Sequence, residues 1–297
     1  MKLLGQKIDK ERIIAYIFLF PGLLLITLFI IVPAIWGLYV SFTPMTLVGE
    51  HALSYEFIGL RNYIKLITDP DFYNTLKLSF LFTALSALIG QAFLGLAIAM
   101  VLRKKGIVGK SLLSLAVFLA WIVPEVVAGY MWAIFAGKGG LMNILLSPFG
   151  IEPRNWLFEA PFETIIIANI WRGTAFSMIL FTAVLESIPQ YIYEAAEIDG
   201  ATGWQRFRYI TFPLIAYALM IDFILITIWT LNVFTMIFVM NGGGLGNATE
   251  IWTIFVYRRA FLPPYDVSYA SAAANVMFII VFLIILVYVK FAEKVRW

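Results

Sequence analysis

Long apolar stretches alternate with polar connections along most of this sequence. An α-helix needs about 20 consecutive, mostly apolar residues to cross the hydrocarbon layer of a bilayer. Stretches that meet this requirement cover approximately residues 13–38, 77–102, 112–135, 164–187, 214–240 and 268–290. The pattern therefore predicts an all-α membrane protein with six transmembrane helices.

The connection between the fourth and fifth stretches, residues 187–213, has a helical pattern of its own. Ser187 and Gln190 have the spacing of a capping box, which favours the start of a helix. Gly200 favours its end, because glycine readily adopts the left-handed conformation of a C-terminal cap. Thr202, or the glycine after it, would begin a second short helix. We therefore expect two short helices separated by a glycine turn.

The composition agrees with a multi-pass membrane protein. Hydrophobic residues make up 62% of the 297 residues and charged residues only 13%, and the mean hydropathy is +0.91. A soluble domain does not need this much apolar surface to fill one core. The sequence has no cysteine and one histidine, His51, in a polar connection, which excludes cysteine metal sites and a histidine-based site within the membrane. We expect no catalytic residue, metal or cofactor, so the chain is not predicted to be an enzyme.

Lysine and arginine are distributed unevenly between two alternating sets of connections. Thirteen of the 21 lie at the termini, between the second and third stretches, or in the segment 187–213. Seven lie in the other connections, and Arg172 lies within a span. Because cytoplasmic loops are enriched in Lys and Arg, we expect both termini and the segment 187–213 to be cytoplasmic. The expected location is the cell membrane.

Ionisable residues also occur within the predicted spans, and Glu125, Arg172 and Asp222 are the clearest examples. Such a residue costs at least about 2.5 kcal/mol at the centre of a transmembrane helix, so each is expected to face a partner or a wet cavity. At the rise of an α-helix, Arg172 and Glu125 lie about 12 and 15 Å below the outer ends of their spans. We therefore predict that these two share a polar network. Asp222 lies in a different layer, which is compatible with a structural role.

One face of the fourth span combines an amide, a cation, a small residue and an aromatic ring at i, i+3, i+4 and i+7. Two polar residues of the fifth span reach a similar depth. The substrate-binding residues predicted from this pattern are Asn169, Arg172, Gly173, Phe176, Thr230 and Asn232. Such a lining suits a sugar, whose hydroxyls need donors and acceptors and whose C–H faces stack on apolar rings. The alternative, that these residues only join helices, stays open because amide bonds and small-residue contacts are common in membrane bundles.

The segment 187–213 also resembles the EAA loop of ABC importer permeases. That motif is E-A-A, three residues, G, nine residues, I, one residue, L-P, and here Phe212 replaces the Leu. The resemblance implies a coupling helix that docks on a cytoplasmic ATPase. The residues that match the motif at this joint are Glu194, Ala195, Ala196 and Gly200.

Other segments resemble the carbohydrate-uptake, maltose-type branch of these permeases. They are G-L-x-N-Y at residues 59–63, W-R-G-T-x-F at residues 171–176, and GGGLGNATE at residues 242–250, which is one residue shorter than the usual segment. The resemblance implies the ABC importer permease fold, with Asn169, Gly173 and Phe176 in contact with substrate. The implied partners are a second homologous permease in a heterodimer, two cytoplasmic ATPase subunits, an external sugar-binding protein and membrane lipid, with no nucleic acid.

We therefore predict a single transmembrane permease domain over residues 1–297, with a coupling loop at residues 187–213, that imports a sugar or oligosaccharide with energy from ATP. The main alternative is an ion-gradient-driven secondary transporter of a small polar solute. It would need inverted repeats around a midplane ion site, and the sequence contains no convincing repeat. An intramembrane enzyme and a scaffold are further alternatives.

Overall fold

The computed structural model describes residues 10–52, 54–104, 106–241 and 248–295, and the regular elements within these ranges are helices. The glycines at 242–246 and much of the basic N-terminus, which contributed to the sequence analysis, lie outside the described residues. The α-helices are α1 (Lys10–Ile26), α2 (Val32–Val40), α3 (Arg61–Thr68), α4 (Pro70–Phe82), α5 (Ala92–Arg103), α6 (Lys110–Ile122), α7 (Glu125–Phe135), α8 (Leu141–Leu146), α9 (Trp156–Glu159), α10 (Pro161–Ser187), α11 (Gln190–Ile198), α12 (Gly203–Arg206), α13 (Phe212–Leu231), α14 (Thr235–Asn241), α15 (Trp252–Phe261) and α16 (Val267–Val295).

Several of these helices join through π-helical segments into longer continuous helices. The π-helical segments are Thr27–Ile31, Thr83–Gln91 and Phe207–Thr211. The continuous helices that are long and apolar enough to cross a membrane are Ile14–Val40, Pro70–Arg103, Pro161–Ser187, Gly203–Leu231 and Val267–Lys294. Helices α6 and α7 supply a sixth crossing if the two count as one span. The prediction of an all-α protein is confirmed, and so is the prediction of six spans when α6 and α7 are counted together as one.

The third span is not the straight helix predicted over residues 112–135. Helix α6 ends at Ile122, helix α7 begins at Glu125, and their axes differ in direction by 108°. Proline disfavours the helical conformation of the residue before it. Val123 and Pro124 are accordingly extended, with ψ of 126° and 141°. Hydropathy located this span correctly, but Pro124 divides it.

The fifth span was predicted over residues 214–240, and both of these limits are wrong. The continuous helix runs over Gly203–Leu231, so it begins within the polar segment. In the π-helical turn, the backbone N–H of Phe212 donates to the carbonyl of Phe207, and the helix then continues through Pro213, which has no N–H to donate. At the other end the helix stops at Asn232, where ψ is 0°.

The chain divides into two compact units, of which the first comprises residues 1–68 and 259–275. Its helix Ile14–Val40 has no buried residue in its most apolar window, an arrangement suited to lipid contact. The polar part of this unit is organised by Asn62, whose Nδ2 donates to the carbonyl oxygens of Ser41 and Thr43, both at 2.9 Å. One buried amide therefore fixes the chain immediately after the first span.

The second unit comprises residues 69–258 and 276–297, and α10 lies at its centre. Helix α10 packs closely against the second span, Pro70–Arg103. A Cβ added at Gly95 would collide with the side chain and backbone of Ser177, and one added at Gly173 would collide with the amide of Gln91. These glycines bring the two backbones into direct contact, as small residues commonly do between membrane helices.

A buried carboxylate joins α10 to α13. The Oγ of Ser177 lies 2.9 and 3.0 Å from the two carboxylate oxygens of Asp222, which is fully buried. This contact between two helices is the kind of structural role that the depth of Asp222 suggested.

Candidate functional site

A cavity of about 330 Å³ lies within the second unit, beside α10. All the residues that were predicted to bind substrate line this cavity, namely Asn169, Arg172, Gly173, Phe176, Thr230 and Asn232. The lining residues that were not assigned to binding are Gln91, Trp121, Glu125, Trp229 and Val233. The structure therefore brings together side chains from the second, third, fourth and fifth spans around one space.

Arg172 and Glu125 form an ion pair at this cavity. Nη1 of Arg172 lies 3.2 Å from Oε1 of Glu125, and the two side chains retain 23% and 35% of their accessible surface. The predicted polar network between them is confirmed. Glu125 lies directly after the bend at Pro124, as the first residue of α7. From this position its carboxylate reaches the guanidinium of Arg172 on α10. The buried Nε of Arg172 has no hydrogen-bond partner among the described residues.

Asn169 lines the cavity and also joins three helical segments. Its Nδ2 donates to Oγ of Ser86 at 2.8 Å and lies 3.5 Å from Oγ1 of Thr230. Its backbone carbonyl accepts a hydrogen bond from Nε2 of Gln91 at 3.0 Å. These bonds support the helix-joining interpretation of Asn169, while its contact with substrate stays a prediction that its place on the cavity wall allows. Gln91 was missed, although a polar amide within an apolar span was a signal that could have identified it.

Aromatic rings form the apolar part of the lining. The rings of Phe176 and Trp229 meet edge to face, with centroids 4.6 Å apart, and Trp121 lies 6.3 Å from Phe176 on the other side. Sequence analysis predicted only Phe176 here. The two tryptophans were missed because tryptophan in a membrane protein is most often an anchor at the bilayer surface.

Thr230 and Asn232 lie at the end of α13. Thr230 is buried and close to Asn169. Asn232 is exposed, and its Nδ2 donates to the carbonyl of Ile228 at 2.7 Å, so its amide closes the last turn of the helix. Both residues therefore have local structural contacts in addition to their position on the cavity wall.

The segment 187–213 contains the two predicted helices, α11 and α12. Helix α11 ends in a Schellman motif, in which Ala201 N donates to the carbonyl of Ala196 and Gly200 N to that of Glu197. Gly200 has φ of +79°, the left-handed conformation that glycine adopts without steric cost. The predicted glycine turn is confirmed.

The predicted capping box at Ser187 and Gln190 is wrong. Ser187 is the last residue of α10, and its Oγ donates back to the carbonyl of Val184. Pro189 keeps the preceding residue extended, so α11 begins only at Gln190. The capping box of this segment instead lies at Thr202, whose Oγ1 accepts from Gln205 N while Gln205 Oε1 accepts from Thr202 N.

Three of the four matched motif residues lie on helix α11, and Gly200 lies in the turn after it. Glu194 and Ala195 are exposed, and Ala196 is partly buried. Large apolar side chains of the same segment are exposed as well, with Ile198 at 87%, Trp204 at 70% and Tyr209 at 73%. Several exposed large apolar side chains in a polar segment are typical of a contact with another protein.

Within the described residues, no group of three or more His, Asp or Glu side chains is placed to hold a metal ion. The cavity instead offers hydrogen-bonding groups and aromatic faces. These groups can bind and orient a polar solute without changing it chemically.

Comparison with known proteins identifies the family. A family model described as "Binding-protein-dependent transport system inner membrane component" matches residues 91–297, more than half of the chain. The chain belongs to this family. Its members are membrane components of transport systems, so the chain is a multi-pass transport subunit of the ABC importer type and not an enzyme. This assignment supports the ABC importer over the ion-gradient transporter.

Individual relatives are similar in sequence to this permease over nearly their whole length. It is 34% identical to the trehalose/maltose transport system permease protein MalF of Thermococcus litoralis over 287 residues, which is 95% of this chain and 94% of the relative. It is 32% identical to the sulfoquinovosyl glycerol transport system permease protein SmoG of Agrobacterium fabrum, over 94% of this chain and 90% of the relative.

The fold of the permease matches that of a solved importer. A crystal structure of a bacterial alginate ABC transporter, in complex with an alginate-bound periplasmic protein, contains a chain that superimposes with a TM-score of 0.81. The match covers 96% of each chain at 21% sequence identity, a level at which it supports the fold alone. The predicted ABC importer permease fold is confirmed.

Proposed function

We propose that this permease forms part of the membrane path of an ATP-driven importer for a sugar or oligosaccharide. The cavity beside α10 is the observation that carries the proposal. Its volume of about 330 Å³ lies at the lower end of the range for small-molecule sites. It places the rings of Phe176 and Trp229 opposite charged and amide groups, which is the combination that binds a sugar by stacking and hydrogen bonding.

Each part of the cavity lining has a proposed contact with the sugar. The C–H faces of the sugar would stack on the rings of Phe176, Trp121 and Trp229. Arg172 would donate to hydroxyl oxygens from the nitrogens that Glu125 does not occupy, because a guanidinium has five N–H donors. Asn169 and the neighbouring residues Gly173, Thr230 and Asn232 would complete the polar side; Gly173 carries no side chain, which lets the amide of Gln91 pack against it at this wall.

The relatives support a sugar as the transported solute. MalF is named for trehalose and maltose and SmoG for sulfoquinovosyl glycerol, which are saccharides or glycosides.

The segment 187–213 is assigned as the coupling loop, and residues 1–297 as one transmembrane permease domain around it. Glu194, Ala195, Ala196 and Gly200 would lie at the joint with a cytoplasmic ATPase. The exposed side chains of Ile198, Trp204 and Tyr209 supply apolar area for this contact. The full assembly would contain a second, different permease chain, two ATPase subunits and an external sugar-binding protein.

Transport should depend on this assembly, which an uptake assay tests. The permease is reconstituted in proteoliposomes with its ATPase, partner permease and binding protein, and a panel of sugars is screened for stimulation of ATP hydrolysis and uptake. One sugar class should stimulate both. Uptake that persists without the ATPase would contradict the proposal, as would ATP hydrolysis that responds to no sugar.

The proposed orientation, with both termini and the coupling loop in the cytoplasm, has a simple test. The chain has no cysteine, so a single introduced cysteine reports its own side of the membrane. Ile198→Cys and Phe149→Cys replace side chains that are 87% and 79% exposed, in connections predicted to face opposite sides. An impermeant thiol reagent added to whole cells should label Phe149→Cys only. Labelling of Ile198→Cys would overturn the orientation.

A further inference from the structure

A second cavity, of about 400 Å³, lies where the second span ends and the segment 187–213 begins. Its polar lining includes Arg103, Lys104 and Arg206. Among the described residues that line it, there is no Asp or Glu to balance these cations. The cavity is separate from the substrate cavity, since the two share no lining residue.

The arginine at the end of α5 is held in place by its neighbours. The guanidinium carbon of Arg103 lies 4.0 Å from the centre of the Tyr193 ring, and Nη2 lies 3.5 Å from the carbonyl of Ile188. The hydroxyl of Tyr193 is in turn 2.9 Å from Oγ1 of Thr211. Arg103 is therefore oriented before any ligand arrives, which reduces the entropy lost on binding.

The other two cations also keep accessible surface. Lys104 is exposed, and Arg206 pairs with Glu197 at 3.4 Å. The side chains of Arg206 and Glu197 retain 28% and 69% of their surface, so water screens the pair and it is weakly held. Arg206 therefore keeps donors for a second anion, and two arginines with one lysine form the donor set that phosphate oxygens prefer.

Apolar side chains line this cavity as well. They are Met100, Leu185 and Phe207, of which Met100 and Leu185 belong to the second and fourth spans. A lining that combines cations with apolar side chains matches a phosphate group attached to an apolar body. Basic pockets of this kind, between helices on the cytoplasmic side of a membrane, bind anionic lipid headgroups.

We propose that this cavity binds a phosphate group, carried by an anionic phospholipid or by a soluble phosphate compound. The bound phosphate would bridge Arg103 of α5, Lys104 after it, and Arg206 of α12. It would thereby hold the end of the second span against the segment that follows α10. The position of this segment would then depend on the anions present at the membrane surface.

A lipid-binding measurement on the intact assembly tests the proposal. The full chain, co-purified with its partner subunits and delipidated in detergent, is titrated with phosphatidylglycerol or phosphatidylcholine, and bound lipid is counted by native mass spectrometry. Phosphatidylglycerol should bind preferentially. Lys104→Gln should weaken it about fivefold, the loss expected for one cation at a membrane surface. The triple variant Arg103→Gln/Lys104→Gln/Arg206→Gln should abolish the preference.

Arg208→Gln is the matched control, because Arg208 lies in the same segment, is exposed, and does not line the cavity. It should bind phosphatidylglycerol like the parent chain. Equal binding of the two lipids, or equal weakening by Arg208→Gln and Lys104→Gln, would overturn the proposal. If the triple variant fails to assemble, Lys104→Gln alone decides, since it changes an exposed side chain beyond the end of α5.

Inorganic phosphate distinguishes the two sources. If millimolar phosphate displaces phosphatidylglycerol from the parent chain, and the displacement is lost in Lys104→Gln, a soluble phosphate compound fits the site. If phosphatidylglycerol stays bound at the same phosphate concentration, the apolar wall contributes and the ligand is a lipid. Both results support phosphate recognition, whereas binding that none of the variants changes would refute it.

Discussion

The substrate cavity and the coupling loop depart from their surroundings in opposite ways. At the cavity, charged and amide groups such as Arg172 and Asn169 lie within apolar spans. In the loop, large apolar side chains such as Ile198 and Trp204 are exposed in a polar segment. Both arrangements are unfavourable for an isolated chain. Under the proposed function each is completed by a partner, which is a polar solute for the cavity and a protein surface for the loop.

The two regions also differ in how strongly their residues depend on one another. The cavity residues are joined by an ion pair, amide bonds and ring contacts, whereas the loop residues Ile198, Trp204 and Tyr209 leave most of their surface uncovered. Changes at the cavity should therefore affect transport and the stability of the spans together, and changes in the loop should affect coupling or the loop itself while the spans stay stable.

The largest effect is expected from breaking the ion pair. Arg172→Gln leaves Glu125 charged and without its partner, at a cost of about 2 kcal/mol, which lies between the values for exposed and buried pairs. The variant should unfold earlier in detergent and lose most transport. The double variant Glu125→Gln/Arg172→Gln should recover stability but not transport. Unchanged stability of Arg172→Gln would contradict the claim that the cavity residues contribute to the stability of the spans.

A smaller effect, confined to coupling, is expected from Gly200→Val. A side chain at φ of +79° is strained by about 1–2 kcal/mol, which should distort the turn after α11. ATP-driven uptake should fall severalfold in proteoliposomes, while thermal stability of the spans is retained. Gly203→Ala is the control, because this helical glycine has open space around it. If Gly200→Val destabilised the spans as much as Arg172→Gln, the two regions would not be separable.

Phe176→Ala should weaken sugar recognition without changing the response to ATP. Phe176 is proposed to stack on the sugar, and if the loss of that ring contact costs about 1 kcal/mol, as for other aromatic contacts, the half-saturating sugar concentration should rise about fivefold. Basal ATP hydrolysis of the reconstituted complex should stay the same. Phe149→Ala, at a residue that is 79% exposed and away from the cavity, should leave sugar dependence unaltered. An equal shift in both variants would argue against the aromatic wall.

The smallest effect is expected from Thr202→Ala, which removes the capping box of α12. The loss should be about 0.5–1 kcal/mol, near the lower end for cap residues because this segment is exposed. Hydrogen exchange at the start of α12 should become a few times faster. Ser187→Ala is the matched control, since Ser187 has the same spacing to a glutamine but caps no helix. A larger effect at Ser187 would restore the original prediction.

Sequence reasoning located the spans and the glycine turn because each depends on local signals. Hydropathy is a property of a window, and Gly200 needs only its own backbone conformation. The break in the third span also had a local signal, Pro124, which hydropathy does not register. The prediction that Ser187 caps α11 failed because of Pro189. The residue before this proline is extended and separates Ser187 from the helix that it was expected to cap.

The composition of the cavity was harder to predict, because it depends on how spans pack. The fourth-span residues shared one helical face and could be grouped from spacing alone. Gln91, Trp121 and Trp229 come from three other helices, and nothing in their local sequence relates them to that face. The pairing of Glu125 with Arg172 was predictable only because a charge within a span requires a partner at similar depth.

Helix α10 extends from the cavity to the start of the segment 187–213. It is 27 residues long, which corresponds to about 40 Å, and it carries the cavity face and ends at Ser187, which the extended link Ile188–Pro189 separates from α11. Gly95 and Gly173 pack it closely against the second span. A displacement of the end of α10 beside the segment 187–213 should therefore carry the second span with it, and we expect the hinge of any transport movement in the elements around this helix pair.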